Sequence, residues 1–164
     1  MPFPAPNSRS RAGDLDVTDT WSENGFECAF DATHKAVRSA LSDIRAWTWA
    51  RGFPDAACGT VELVLAEALN NIVEHACADI PGARITVKAT LFRHAMLLTV
   101  TDPGRHYPDH VLPEGEPPVP DVPRKDLPEG GFGWFLIRQL TRSLIYRREP
   151  GGNHLSMMFD ITER

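Results

Sequence analysis

An α+β two-layer sandwich, with helices on one face of a mixed, mainly antiparallel sheet, is the fold class that the sequence predicts. Three observations carry that prediction. Two stretches of three- and four-residue apolar periodicity follow one short alternating segment, two β-rich hairpins come later, and one Gly-led helical stretch lies between the hairpins. The resulting order is strand, two helices, two strands, loop, helix, two strands, which one helical layer over one sheet satisfies. A length of 164 residues fits one domain.

The elements follow in order. Residues 1–22 are polar, rich in Pro and Ser, and without periodicity, so they read as a mobile tail before a domain over 23–164. Phe26, Cys28 and Phe30 alternate with Glu27 and Ala29 as a strand with one buried face does. Thr33 stands at a helix N-cap position, Ala36, Val37, Ala40, Leu41, Ile44 and Trp47 recur at helical steps, and Gly52 stops the run. Pro54 and Asp55 open a second helix with the stripe Val61, Val64, Leu65, Ala68, Leu69, Ile72 and Val73, ending before Pro81-Gly82. Arg84–Phe92 and Ala95–Thr101 flank Arg93-His94 as a hairpin. Asp102–Glu129 contains eight prolines and few apolar residues, the composition of a lid or binding loop. Gly130-Gly131-Phe132-Gly133 leads into a helix from Trp134 to about Thr141. Ser143–Glu149 and His154–Ile161 then close a hairpin around Gly151-Gly152.

Composition excludes several classes. Seventeen Lys and Arg against 22 Asp and Glu give a net charge of -5, which disfavours direct nucleic-acid or anionic-membrane binding by bulk charge. Apolar runs of only a few residues predict no membrane span, and the N-terminus lacks the apolar core of a secretory signal. Cys28, Cys58 and Cys77 form no paired framework, which suits a reducing cytoplasm, and no cysteine is assigned a role. His75 and Cys77, two apart with no second pair, do not make a metal site. Trp47 and Trp49 cannot both face the core of one helix.

Three segments place awkward residues where folding alone does not ask for them. Within AEALNNIVEHA, Glu67 and Asn71 stand four apart and share a helix face, with Asn70 beside them. A carboxylate next to an amide oxygen suits orienting a nucleophile and holding a hard cation. Asp102 and Gly104 follow the apolar strand LLTV; the carboxylate can accept from an exocyclic amine, and the glycine lets a flat ring approach. An ordinary Asp-Pro-Gly turn explains the same residues. Gly131 and Gly133, flanking Phe132, open a helix whose free N–H groups can cradle phosphate, and no Walker GK[ST] follows.

Taken together, these segments resemble the N, G1 and G2 boxes of the GHKL ATPase superfamily. VELVLAEALNNIVEHA and GGFGWFLIRQLTRSLIYRREPGGNHLSMMF are most similar to the stand-alone anti-sigma-factor serine/threonine kinases of bacterial partner-switching systems, over about residues 26–161. The resemblance implies the Bergerat ATP-binding fold, ATP and Mg2+ as cofactors, and a lid over about 105–130. It implies Glu67 as the general base or orienting carboxylate for the acceptor hydroxyl, Asn71 as the Mg2+ ligand, and an ATP site of Asn70, Asn71, Asp102, Gly104, Gly131, Phe132, Gly133 and Asn153. The implied phosphoryl acceptor is a Ser or Thr of a STAS-domain anti-anti-sigma protein; a sigma factor is a further partner, and a homodimer the assembly. The sequence departs from the family pattern at His106, where many relatives have a second glycine, and at Phe132, where some carry a polar or basic residue. Arg105, Arg124 and Lys125 are the lid cations that can meet the γ-phosphate. The alternative reading is a non-catalytic nucleotide-binding module of the same fold that acts by protein association.

Overall fold

The computed structural model describes residues 20–22, 25–117 and 131–161. Its element order is β1 (Thr20–Ser22), β2 (Gly25–Asp31), α1 (His34–Ala50), α2 (Asp55–Asn71), a π-helical turn (Ile72–Ala76), β3 (Arg84–Leu91), β4 (Ala95–Asp102), a short 3-10 turn (Pro108–His110), α3 (Gly131–Leu140), β5 (Ser143–Glu149) and β6 (Gly152–Asp160). The sheet runs β1-β2-β3-β4-β6-β5, and every pairing among the described residues is antiparallel. The expected mixed sheet is thus antiparallel throughout this part. Thr20–Ser22, assigned to the tail from sequence, instead pair with Gly25–Glu27 as the outer strand.

Alternation places the apolar residues of the sheet on one face. Phe26, Cys28 and Phe30 of β2, Ile85, Val87 and Ala89 of β3, Met96, Leu98 and Val100 of β4, and Leu155, Met157 and Phe159 of β6 are all buried. Strand register turns them into rows, such as Cys28–Val87–Val100–Leu155. Against this face pack Ile44 and Trp47 of α1, Val61, Val64, Leu65 and Leu69 of α2, and Ile137 of α3. Each fully buried large side chain of this set contributes about 1.5–3 kcal/mol by leaving water. Trp47 is fully buried beside Phe26, whereas Trp49, two residues on, is 64% exposed. Helix α1 starts where Thr33 Oγ1 accepts from the Ala36 N–H at 3.2 Å. It ends at Gly52, whose φ of 77° a side chain would strain.

The segment Asp55–Ala76 is continuous helix, 22 residues long, and an 18-residue stretch of it has a mean hydropathy of 1.3. By length and composition it could cross a membrane, contrary to the expectation of no such segment. Its Val61, Val64, Leu65, Ala68, Leu69 and Ile72 are core residues of this domain, which accounts for the apolar composition. Its last turn widens to π geometry, with the Cys77 N–H reaching the Ile72 carbonyl at 2.8 Å. That widened turn joins the two halves of the candidate site.

Candidate nucleotide site

One half of the site lies where the last turn of α2 meets the first turn of α3. Glu67 and Asn71 are both half-buried on the face toward α3. A β-carbon added at Gly133 would stand 2.5 Å from Glu67 Oε2 and 3.8 Å from Asn71 Nδ2, so any larger residue there would push the Glu67 carboxylate aside. The helix begins at Gly131 rather than at Trp134, and both glycines therefore lie in its first turn. Asn71 Nδ2 is buried with no hydrogen-bond partner among the described residues, and burial raises the Glu67 carboxyl above its ordinary value, helped by the nearby Glu74 charge. Asn70, one position round the helix, is half-buried and turned from this face. The Phe132 ring stacks on Phe135 at 6.3 Å.

The other half is a row across the end of the sheet. Asp102 of β4 stands opposite Asn153 of β6, which stands opposite Arg148 of β5. Asp102 and Asn153 are buried. Three donors converge on one carboxylate oxygen, Asp102 Oδ1: the Gly104 N–H at 2.8 Å, Asn153 Nδ2 at 3.0 Å and the Cys77 thiol at 3.8 Å. Among the described residues none donates to Oδ2. Burial raises the carboxyl above the ordinary range, while those donors and the charge of Arg148 pull it back. Asn153 Oδ1 accepts from the Tyr146 hydroxyl at 2.6 Å and from Arg148 at 3.1 Å, and its Nδ2 also reaches the Arg105 carbonyl at 2.9 Å.

Gly104 has a reason that the sequence did not show. A β-carbon there would lie 2.6 Å from the Ala76 carbonyl carbon and oxygen and from Asp102 Oδ1. The space beside it is thus filled by the π-turn backbone rather than left open to a flat ring. The Arg105 N–H donates to the same Ala76 carbonyl at 2.8 Å. Through this contact the chain after β4 is fastened to the helical segment that carries Glu67 and Asn71.

The lid candidates separate. Arg105 forms an ion pair with Asp79 and so points along the π-turn side. Arg124 and Lys125 lie outside the described residues. The segment after the 3-10 turn rests on α3: Arg138 donates to the Pro113 carbonyl at 3.0 Å and the Leu112 carbonyl at 3.2 Å. The Glu116 N–H donates to the Gly131 carbonyl at 3.0 Å. Tyr107 packs edge-on against both Trp134 and Tyr146, at 5.4 and 5.2 Å.

Sequence reasoning passed over Cys77, Tyr146 and Arg148. Cys77 carried no basic neighbours, and none are needed: its thiol, pushed up to about 11 chiefly by burial, acts as a neutral donor. Arg148 offered a signal, since it shares the inward parity of Leu144 and Tyr146 on β5.

The residues present fit a nucleotide with a divalent cation. An orphaned amide at Asn71, a glycine-lined helix entry and a buried carboxylate with a free oxygen are the features such a ligand would use. Among the described residues no cluster of three or more His, Cys, Asp or Glu could hold a metal.

Asp102→Asn separates stability from binding. It keeps an acceptor at Oδ1 and removes a buried charge, so the variant equals or exceeds the wild type in stability at pH 7. The folded-state pKa of Asp102 is raised, so the folded protein binds the extra proton first and the wild type gains stability as pH falls through that window. Urea unfolding at pH 7 and pH 5 should therefore show the gap between the two closing on acidification. A gap that widens instead contradicts the buried-charge account. For an adenine nucleotide, the same substitution is expected to weaken binding by about 1–3 kcal/mol, read by calorimetry.

A model of the histidine kinase-like ATPase domain matches residues 30–159. The serine-protein kinase RsbW of Halalkalibacterium halodurans is 30% identical over 92 residues, 56% of this chain and 56% of its own. The serine/threonine-protein kinase BtrW of Bordetella bronchiseptica is 37% identical over 101 residues, 60% of this chain and 67% of its own. The RsbW of Oceanobacillus iheyensis is 29% identical over 61% of this chain and 64% of its own. The matches thus span from a little over half to two thirds of these relatives. Among solved structures, the RsbU and RsbW domains of a Mycobacterium tuberculosis protein superpose with a TM-score of 0.60. They are 17% identical, over 85% of this chain and 33% of that one, a likeness of fold.

Proposed function

Because this chain belongs to the histidine kinase-like ATPase domain family, on the branch of the anti-sigma serine kinases, we propose that it is an ATP- and Mg2+-dependent protein kinase. Its acceptor is a serine or threonine hydroxyl of a STAS-domain partner. The same protein holds a regulatory partner such as a sigma factor, works as a homodimer and acts in the cytoplasm.

The observation that supports this most directly is the meeting of Glu67 and Asn71 with Gly133 at the α3 entry. A phosphoryl group at that entry lies beside a carboxylate and an amide, the groups that transfer to a hydroxyl needs. Glu67 orients the acceptor hydroxyl and takes its proton as the oxygen attacks the γ-phosphorus; ADP carries away the bridging oxygen. A raised carboxyl pKa makes Glu67 a better proton acceptor than a solvated glutamate. Asn71 would hold Mg2+ through its amide oxygen, and the ion would neutralise phosphate charge. Gly131 and Gly133 allow the backbone of α3 to approach the phosphates. Asp102 reads the exocyclic amine of adenine through Oδ2, with Asn153 and Gly104 fixing its other oxygen.

ATP titration by calorimetry, with and without Mg2+, tests the site. Binding that tightens with Mg2+, followed by transfer to a STAS protein, is the expected result. Binding without transfer would replace the kinase by the nucleotide-binding interaction module. No binding at millimolar nucleotide would remove the site altogether.

A further inference from the structure

The row that holds Asp102 extends one residue beyond what the nucleotide reading uses. Strand β5 is one edge of the sheet; Leu144 and Tyr146 are half-buried on it, and Arg148 shares their parity although it is exposed. The first two pack against the core. The third is a full positive charge at a position whose parity points toward the helical layer. Arg148 does not waste its donors there. One Nη1 group reaches the Gly104 carbonyl at 2.6 Å and Asn153 Oδ1 at 3.1 Å. Gly104 and Asn153 are the two residues that donate to Asp102 Oδ1 by N–H groups.

The orientation of the Asn153 amide is held in part by this contact. Its Oδ1 faces two donors, Arg148 and the Tyr146 hydroxyl, and only that orientation leaves Nδ2 to bond Asp102, Gly104 and Arg105. With Oδ1 of Asp102 saturated from that side, Oδ2 is left as the acceptor for a ligand. Arg148 touches neither oxygen. It acts through two intermediaries.

We propose that Arg148 is a positioning residue that sets the base selectivity of the nucleotide site by fixing the Gly104 carbonyl and the Asn153 amide around Asp102. The proposal rests on the reading of Asp102 as the adenine acceptor. It predicts that Arg148 matters for nucleotides bearing a 6-amino group and not for those lacking it. A residue that merely held the β5–β6 hairpin together would affect both alike.

The experiment compares ATP with purine riboside triphosphate, which lacks the 6-amino group, by calorimetry on the full chain. The wild type is expected to prefer ATP by about tenfold or more, the worth of a hydrogen bond to a charged acceptor. Arg148→Met and Arg148→Gln are expected to bring that preference to within about twofold, chiefly by weakening ATP. Arg148→Lys, which keeps a donor and a charge, should restore part of it. Thermal unfolding of each variant checks that the fold persists, and two truncations keep the test open should one fold poorly. A Met variant that retains the full preference overturns the positioning role. So does an equal loss for both nucleotides. A wild type that binds both equally overturns the adenine reading of Asp102 itself, which is a different result and is seen before any variant is made.

Discussion

Glu67→Gln is expected to lower phosphoryl transfer by about 10²–10⁴-fold, the usual worth of a positioned general base, while leaving ATP affinity within about threefold of the wild type. The substitution is close to isosteric. It keeps the approach of Gly133, whose missing β-carbon is what lets the side chain lie against α3. It also removes a carboxylate that burial and Glu74 already disfavour as a charge, so folding stability should not fall. What disappears is the capacity to take a proton. Single-turnover transfer from labelled ATP to a STAS-domain acceptor reads the chemical step, and calorimetry on the same preparation reads binding. Transfer that survives at the wild-type rate would move the proton acceptor elsewhere. Loss of ATP binding in the variant would make Glu67 part of the nucleotide contact instead. Raised protonation of Glu67 also gives a sign for pH: transfer should fall on acidification from a higher pH than an ordinary glutamate would set, and in Glu67→Gln that limb should be gone.

The parts of the molecule that were legible in the sequence share a physical cause. Period-two and period-3.6 burial is written directly into Phe26–Phe30, Ile85–Ala89, the α1 stripe and the α2 stripe, because each of those elements packs one face on a common core. Glu67, Asn71, Asp102 and Gly133 stood out as candidates because polar or glycine residues sit within or at the ends of otherwise apolar elements. Thr20–Ser22 were not, since a three-residue outer strand carries no period. The π-turn was also hidden: Ile72–Ala76 continue the apolar pattern of α2, and the chain the turn meets, Gly104–Arg105, lies far off in sequence. The contributions of Cys77, Tyr146 and Arg148 were hidden for a related reason. Each reaches Asp102, Asn153 or Gly104 across the sheet or from a different element, and sequence spacing carries no record of register.

Gly104→Ala tests the joint on which both halves of the site depend. Three atoms would stand 2.6 Å from the new β-carbon, and two of them are backbone of the π-turn. Backbone inside a packed turn cannot swing away as a side-chain tip can, so either Ala76 or the chain after β4 must shift. Overpacking of this kind costs about 3 kcal/mol, which for a chain of this size lowers Tm by about 6–12 °C. The third atom is Asp102 Oδ1, and displacing it disturbs the donors that fix that carboxylate; ATP affinity should therefore fall along with stability. Gly59→Ala supplies the contrast. Gly59 lies within α2 with nothing within 4 Å of an added β-carbon, so alanine there should raise stability by about 0.5–1 kcal/mol through helix propensity alone and leave ATP binding unchanged. If Gly104→Ala melts with the wild type and binds ATP equally well, the π-turn yields to the new atom, and the two halves of the site are not coupled through it. The opposite pattern, with Gly104 costly and Gly59 favourable, locates the constraint in the contact between the chain after β4 and the widened end of α2. A nucleotide bridging Asp102 and Asn71 would then be held by one rigid joint rather than by two independent elements.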